Sequence, residues 1–238
     1  MNCLMDGMII ISGSSRSGTT IMGKIISSFE KVEYFFEPSS LIPILSKSDE
    51  LSIISLKELL RFYLYNDLFL NSLAGRNINL NKYDDSFILN TKLEDDINVR
   101  HSKSYSMSEL IDTGKDYTLS FKHPDMIFFL KEMVSLYPNS KRILMHRPPS
   151  EVINSILAKK WFSDEILFSE YIGLYYKTKY KDGLSVPFWV KDKDIVFWAN
   201  ATEHNRAAYY YISISESIIK NKKKSIIINY DDLVSSPC

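Results

Sequence analysis

The stretch Met8-Ile-Ile-Ile-Ser-Gly-Ser-Ser-Arg-Ser-Gly-Thr-Thr-Ile-Met22 constrains the fold of this chain more than any other. Three isoleucines after a methionine read as a buried strand, Met8–Ser12. Gly13-Ser-Ser-Arg-Ser-Gly18 follows as a glycine-bounded loop. From Thr19 onward the apolar residues Ile21, Ile25, Ile26 and Phe29 recur at helical spacing. A strand, a glycine-rich loop and a helix N-terminus in that order form a cradle for an anion. Loop amides and the free N–H groups of the first helical turn point at one spot, and the helix dipole favours negative charge there. Ser14, Ser15, Arg16, Ser17, Gly18, Thr19 and Thr20 are therefore the candidates for holding a phosphate. A turn built for geometry alone needs fewer hydroxyls and no arginine.

The loop is also informative for what it lacks. The nucleotide triphosphatase loop reads G-x-x-x-x-G-K-[ST]. Here the glycine spacing is kept from Gly13 to Gly18, but Thr19 stands at the lysine position and the cation has moved inside the loop, to Arg16. The lysine that normally reaches the β- and γ-phosphates is missing, which argues against ordinary ATP chemistry.

Lys141-Arg-Ile-Leu-Met-His-Arg147-Pro-Pro-Ser-Glu-Val-Ile-Asn-Ser155 repeats the strand–turn–helix pattern. Pro148 and Pro149 suit a helix start, and Val152, Ile153, Ile156 and Leu157 form a buried helical stripe. Arg147 ends the strand and Ser155 lies two helical turns further on. In an open α/β sheet, ligands bind beyond the carboxyl ends of the strands, so Arg147 is placed to meet the ligand of the first loop. Taken alone, these two residues read more readily as a surface arginine and a solvent-facing serine.

The wider pattern alternates. Strands are expected at Met8–Ser12, Val32–Phe36, Thr118–Lys122, Arg142–Met145 and Ser225–Asn229, with helices at Thr19–Phe29, Asp125–Leu136, Ser150–Lys160 and Asn200–Lys220. Such alternation implies an α/β fold with a parallel sheet and helices on both faces. Leu56–Leu73 reads as a further amphipathic helix. The whole of residues 1–238 is expected to form one domain. Residues 75–115 are rich in Asn, Asp, Lys and Ser and read as a polar insertion or lid. Residues 161–198 are rich in aromatics, among them Tyr171, Tyr175, Tyr176, Tyr180, Phe188 and Trp189. Aromatic faces suit a sugar or phenolic acceptor and suit a helical core equally well.

These motifs together resemble the sulfotransferases. Gly-x-x-Arg-Ser-Gly-Thr-Thr is similar to their 5′-phosphosulfate loop. Arg147-Pro-Pro-Ser-Glu-Val-Ile-Asn-Ser155 is similar to their 3′-phosphate segment, with arginine and serine at the same interval. Ile226-Ile-Ile-Asn-Tyr-Asp-Asp-Leu resembles the family's strand followed by Tyr-Glu-Asp-Leu. The resemblance implies a P-loop-containing nucleoside triphosphate hydrolase-like fold. It also implies 3′-phosphoadenosine-5′-phosphosulfate (PAPS) as donor and no metal. Arg16 in place of a lysine resembles the bacterial and carbohydrate-type members more than the cytosolic branch. Ile21 stands where that branch carries a tryptophan near the adenine. The sequence reaches Pro237-Cys238 where relatives usually continue with a helix, so a short or truncated form is expected to bind its donor less well.

By the same resemblance, Glu37-Pro38 matches the Glu-Pro whose carboxylate is the base in bacterial and carbohydrate-type members. The residue pattern agrees: Glu37 ends a strand beside the first loop, among aromatic residues. Thr118-Leu-Ser-Phe-Lys122-His123-Pro124 resembles both the Lys-Thr-Pro and the Lys-Thr-His segments of the family. Lys122 would then assist the sulfuryl oxygens. Glu37 is the first candidate for the base and His123 the second. The rival readings are a small-molecule kinase, which the missing lysine disfavours, and a non-catalytic nucleotide-binding relative.

The 29 Lys and Arg balance the 29 Asp and Glu, which gives no basic surplus for a nucleic acid. The two cysteines, Cys3 and Cys238, form no framework, so a reducing compartment, the cytoplasm, is expected. The apolar stretches are too short to span a bilayer, and no signal peptide is evident. The expected partner is a small-molecule or carbohydrate acceptor.

Overall fold

The apolar runs become one sheet. The computed structural model describes residues 3–169, 176–180 and 183–235. Its strands are β1 (Ile9–Gly13), β2 (Val32–Phe36), β3 (Thr118–Lys122), β4 (Lys141–His146), β5 (Tyr176–Lys179), β6 (Ser185–Pro187) and β7 (Ile226–Asn229). Five of them form a sheet in the order β2-β3-β1-β4-β7, and every pairing in it is parallel. The strands β5 and β6 make a separate antiparallel pair. Tyr171, Tyr175, Pro237 and Cys238 lie outside the described residues, as does the side chain of Tyr176.

The order places β1 at the centre. The chain leaves β1 for β2 on the far side of β3, returns to β3, then crosses to β4 on the other flank. The reversal makes a crevice beyond the carboxyl end of β1, where open α/β sheets bind their ligands. The helices that matter to this crevice are α1 (Thr19–Ser27), α2 (Pro149–Ala158), α3 (Glu203–Asn221) and α4 (Tyr230–Ser235).

Alternating side chains divide the core between the two faces of the sheet. Ile10, Leu119, Phe121 and Leu144 join a large cluster with Val152 and Ile156 of α2 and Ala207, Tyr210 and Ile214 of α3. Ile11, Ile143 and Met145 point the other way, to Met22 and Ile26 of α1 and Leu233 of α4. Helices thus cover both faces, as the α/β pattern implies, with most of the apolar mass on one side. No helix among the described residues is long and apolar enough to cross a membrane.

Several boundaries move from their expected places for local reasons. The helix expected from Asp125 begins as a 3₁₀ turn over Pro124–Phe129 and becomes α-helical only at Leu130–Leu136. Proline at its start removes an N–H donor and favours the tight turn. α3 starts at Glu203 because the Thr202 side chain accepts the Asn205 N–H at 3.3 Å. The amphipathic helix expected at Leu56–Leu73 starts at Ile53, capped by Ser52, and widens into a π-helical stretch over Phe62–Leu70.

The segment 75–115 carries the helices Glu94–His101 and Met107–Gly114. It is tied to the sheet by a buried ion pair: both Arg100 terminal nitrogens donate to the Glu33 carboxylate of β2, at 2.9 and 3.0 Å. Ser72 Oγ donates to the same carboxylate. Lys92 Nζ adds bonds to the carbonyls of Ser27 and Val32, at 3.1 and 2.5 Å.

Candidate active site

The loop after β1 is built from conformations that only some residues tolerate. Gly13, Arg16 and Gly18 have φ of +132°, +67° and +82°. A Cβ on Gly13 would lie 2.2 Å from the Met145 carbonyl oxygen of the neighbouring strand, and one on Gly18 would lie 2.3 Å from the Tyr230 ring. Both positions favour glycine, and at Gly13 the obstacle is main chain. Arg16 holds a left-handed conformation with a full side chain, a strain of the kind stored at ligand-binding turns. α1 then begins at Thr19 with no side-chain cap on its N-terminal N–H groups. Those donors are available to a ligand.

The serines of the loop divide into two kinds. Ser14 and Ser17 are buried. Ser14 Oγ donates to the Ser15 carbonyl at 3.0 Å, and Ser17 Oγ donates to the Ser14 carbonyl. Their hydroxyls hold the loop's own backbone. Ser15, Arg16, Gly18, Thr19 and Thr20 instead line a cavity of about 670 Å³ at the crevice.

The second motif arrives where its strand-end position implies. Arg147 lines the same cavity. Its guanidinium donates to the Arg16 carbonyl at 3.3 Å, pairs with Glu151 at 2.5 Å, and lies 4.5 Å over the Tyr230 ring. Arg16 Nε donates to Ser155 Oγ at 2.8 Å. Residues 139 positions apart in sequence thus form one polar cluster around the loop.

Glu37, Lys122 and His123 meet on the opposite wall. The Glu37 N–H donates to the Lys122 carbonyl at 2.8 Å, one step beyond the β2–β3 ladder. Glu37 takes φ +41° there, which turns its side chain onto Lys122 Nζ in a close ion pair. Lys122 is buried, with its ammonium 4.0 Å over the Phe36 ring. Desolvation pulls its pKa down, and Glu37 opposes that shift. His123 is only 3% exposed, and burial, helped by the Lys122 charge, pushes its imidazole down to about 3. It is neutral and weakly basic at any ordinary pH.

Three residues at this crevice escaped the sequence reading. Tyr210 of α3 donates to Ser15 Oγ at 2.8 Å and accepts the Ser15 N–H at 3.3 Å. Tyr211 donates to the Arg147 carbonyl at 3.0 Å. The visible signal was Tyr209-Tyr210-Tyr211 itself, because consecutive helical residues face different directions. Asp125 also lines the cavity, half-buried on the turn after β3. Burial and the nearby Glu37 charge raise its carboxyl to about 7, with Lys122 opposing. An aspartate after a proline looks like an ordinary first-turn residue, so nothing local marked it.

The aromatic stretch both packs into the core and reaches the cavity. Phe162, Trp189, Trp198 and Tyr210 pack against one another at centroid distances of 5.1–5.8 Å. Phe162, Phe188, Trp189 and Trp161 also line the cavity, as do Ile21 of α1 and Asp85 of the polar segment.

The model of the sulfotransferase family matches residues 8–238. The chain belongs to the sulfotransferase family. No curated protein sequence matches it significantly. Among solved structures, the sulfotransferase domain from the curacin biosynthetic pathway is 17% identical at a TM-score of 0.49, covering 97% of this chain and 69% of that one. The sulfotransferase domain of the Synechococcus PCC 7002 olefin synthase is 14% identical at 0.49, covering 97% and 68%. Sulfotransferase STF9 from Mycobacterium avium is 11% identical at 0.45, covering 98% and 61%. In this sulfotransferase the loop, Arg147, Ser155, Glu37 and Lys122 all gather at one end of the parallel sheet. Among the described residues no group of three His, Cys, Asp or Glu could hold a metal ion.

Proposed function

We propose that this sulfotransferase uses PAPS as donor and transfers its sulfuryl group to a hydroxyl or amine of a small-molecule or carbohydrate acceptor. The observation that carries the reading is the convergence of Arg16, Ser155 and Arg147 on the uncapped start of α1. Two guanidinium groups and a helix N-terminus suit two separate phosphates on one nucleotide. The fit also rests on Gly13 and Gly18, whose missing Cβ atoms keep the loop's backbone tight.

When bound, PAPS supplies a sulfuryl group on a phosphate leaving group. Thr19 and Thr20 hold the 5′-phosphate, and Arg147 with Ser155 holds the 3′-phosphate. Arg16 and the loop amides neutralise charge on the departing oxygen, the electrostatic part of catalysis. Glu37 takes the proton of the acceptor. Lys122 fixes the Glu37 carboxylate through their ion pair and supplies positive charge beside the sulfuryl oxygens. His123, neutral and desolvated, is the weaker candidate for the proton. The polar segment 75–115 closes over the acceptor side through Asp85, which pairs with Lys24 of α1 at 3.1 Å. We assign the protein to the cytoplasm on its cysteine usage.

Calorimetry tests the donor. Adenosine 3′,5′-bisphosphate should bind more tightly than AMP by about tenfold or more, the value of a charge-assisted contact. Arg147→Ala should erase that preference. Equal affinity for the two nucleotides, or ATP turnover that EDTA abolishes, refutes the reading.

A further inference from the structure

We propose that the acceptor of this sulfotransferase carries a cationic amine, distinct from the group that is sulfated, and that Asp125 and the aromatic wall beside it bind that amine. The proposal rests on the reading of the cavity as a sulfuryl-transfer site and names the acceptor class for that site.

The carboxylates on the acceptor side are Glu37, Asp85 and Asp125. Glu37 is bound to Lys122 and Asp85 to Lys24. Asp125 has no hydrogen bond or ion pair among the described residues, and it opens onto the cavity. A half-buried carboxylate without a partner is costly, and a ligand cation relieves the cost. A neutral hydroxyl does not compensate the charge.

Phe162, Phe188, Trp189 and Trp161 border the same cavity. Aromatic faces attract an ammonium group, most strongly where water is excluded. They also cover an apolar body attached to it. Carboxylate and rings together select an amine on an apolar or aromatic frame, with its hydroxyl left for Glu37.

Titration follows from the groups that face Asp125. Glu37 beyond β2 holds its proton on, Lys122 of β3 draws it off, and Tyr210 of α3 is buried beside it. His123 is neutral, and Asp85 borders the same cavity. A cation binds the ionised form of Asp125. Its affinity therefore falls as pH drops below about 7, toward tenfold per pH unit.

The probes are 2-phenylethylamine, protonated below about pH 9, and the neutral 2-phenylethanol. Both are titrated calorimetrically into the full chain at about pH 8 and about pH 5.5, either side of the Asp125 transition. The amine should bind about tenfold or more tightly than the alcohol at the higher pH, and the gap should narrow at the lower. Asp125→Asn should abolish the preference and Asp125→Glu should keep it. Adenosine bisphosphate affinity and melting temperature confirm that both variants are folded. Equal binding of the two probes, no signal from the amine at millimolar concentration, or a preference that survives in folded Asp125→Asn overturns the proposal. The bisphosphate-over-AMP preference reports separately on the sulfuryl-transfer reading, so the two failures are distinguishable.

Discussion

Replacing either loop glycine by alanine should injure the protein in different ways, and the difference tests how the loop is built. At Gly13 the added methyl meets main chain: 2.2 Å to the Met145 oxygen and 2.8 Å to its nitrogen. The oxygen contact is more than 1 Å short of the 3.4 Å of ordinary contact, and the two residues are a register pair at the end of the β1–β4 ladder. Neither backbone can yield without parting the two central strands. Strain at φ +132° adds about 1–3 kcal/mol, and a lost ladder bond about 1 kcal/mol. A total near 3 kcal/mol lowers the melting temperature by roughly 6–12 °C in a domain of this size. At Gly18 the obstacle is a side chain, the Tyr230 ring at 2.3 Å, which can rotate. Stability should fall by only about 1–2 kcal/mol. The ring, however, supports the Arg147 guanidinium at 4.5 Å, so adenosine bisphosphate affinity should fall by about tenfold. Differential scanning calorimetry and isothermal titration read the two effects. If Gly18→Ala melts as early as Gly13→Ala, or binds the bisphosphate at wild-type affinity, the reasoning fails.

Three further outcomes are expected. Glu37→Gln keeps the shape of the side chain and removes its basicity, so turnover should fall by roughly 10²-fold or more while donor affinity stays within a few fold; near wild-type turnover, with His123→Ala inactive, reverses the assignment of the base. Arg100→Met leaves the Glu33 carboxylate, 1% exposed, with the Ser72 hydroxyl as its one hydrogen-bond partner among the described residues and the Lys92 charge nearby, and should cost about 3–5 kcal/mol in chemical denaturation; a loss below about 1 kcal/mol, the surface-pair range, rules out a buried pair. Asp125 has its folded pKa, about 7, above its unfolded value of 3.8, so the folded state keeps a proton that the unfolded chain releases. Wild-type stability should therefore decline from about pH 4 to pH 7 relative to Asp125→Asn and run parallel to it above; a melting difference independent of pH contradicts the burial of that carboxylate.

The first loop was legible because everything that makes it is local. Four apolar residues, two glycines at fixed spacing and a helical stripe lie within one short run, and each is a backbone requirement. The same holds for Glu37 and Lys122, which end strands β2 and β3. Parallel pairing of adjacent strands then brings Phe36 level with Lys122 and sets the next side chain beside it. Each was legible as a strand end, but their proximity follows from the pairing of β2 with β3, which the sequence pattern does not state. The ion pair was not readable, because it depends on Glu37 turning to φ +41°. Nor was the inward turn of Ser14 and Ser17, whose hydroxyls look identical in sequence to the one that faces the cavity.

What remained hidden came from α3 and from the turn after Pro124, whose placement depends on the whole fold. Tyr209, Tyr210 and Tyr211 send their hydroxyls to Asp194, Ser15 and the Arg147 carbonyl. A hydroxyl on each of three helical directions serves a different neighbour, so no single periodicity describes them. Asp125 and Glu37 make the sharper contrast. Both are carboxylates on the same wall, and each follows a β-strand. Glu37 is fixed by Lys122 and is therefore available only for work done in place. Asp125 has no ion-pair partner among the described residues, and burial, Glu37 and Lys122 set its charge state. In the proposed reaction one carboxylate then takes a proton from the bound group, and its neighbour meets the charge of the molecule that carries it.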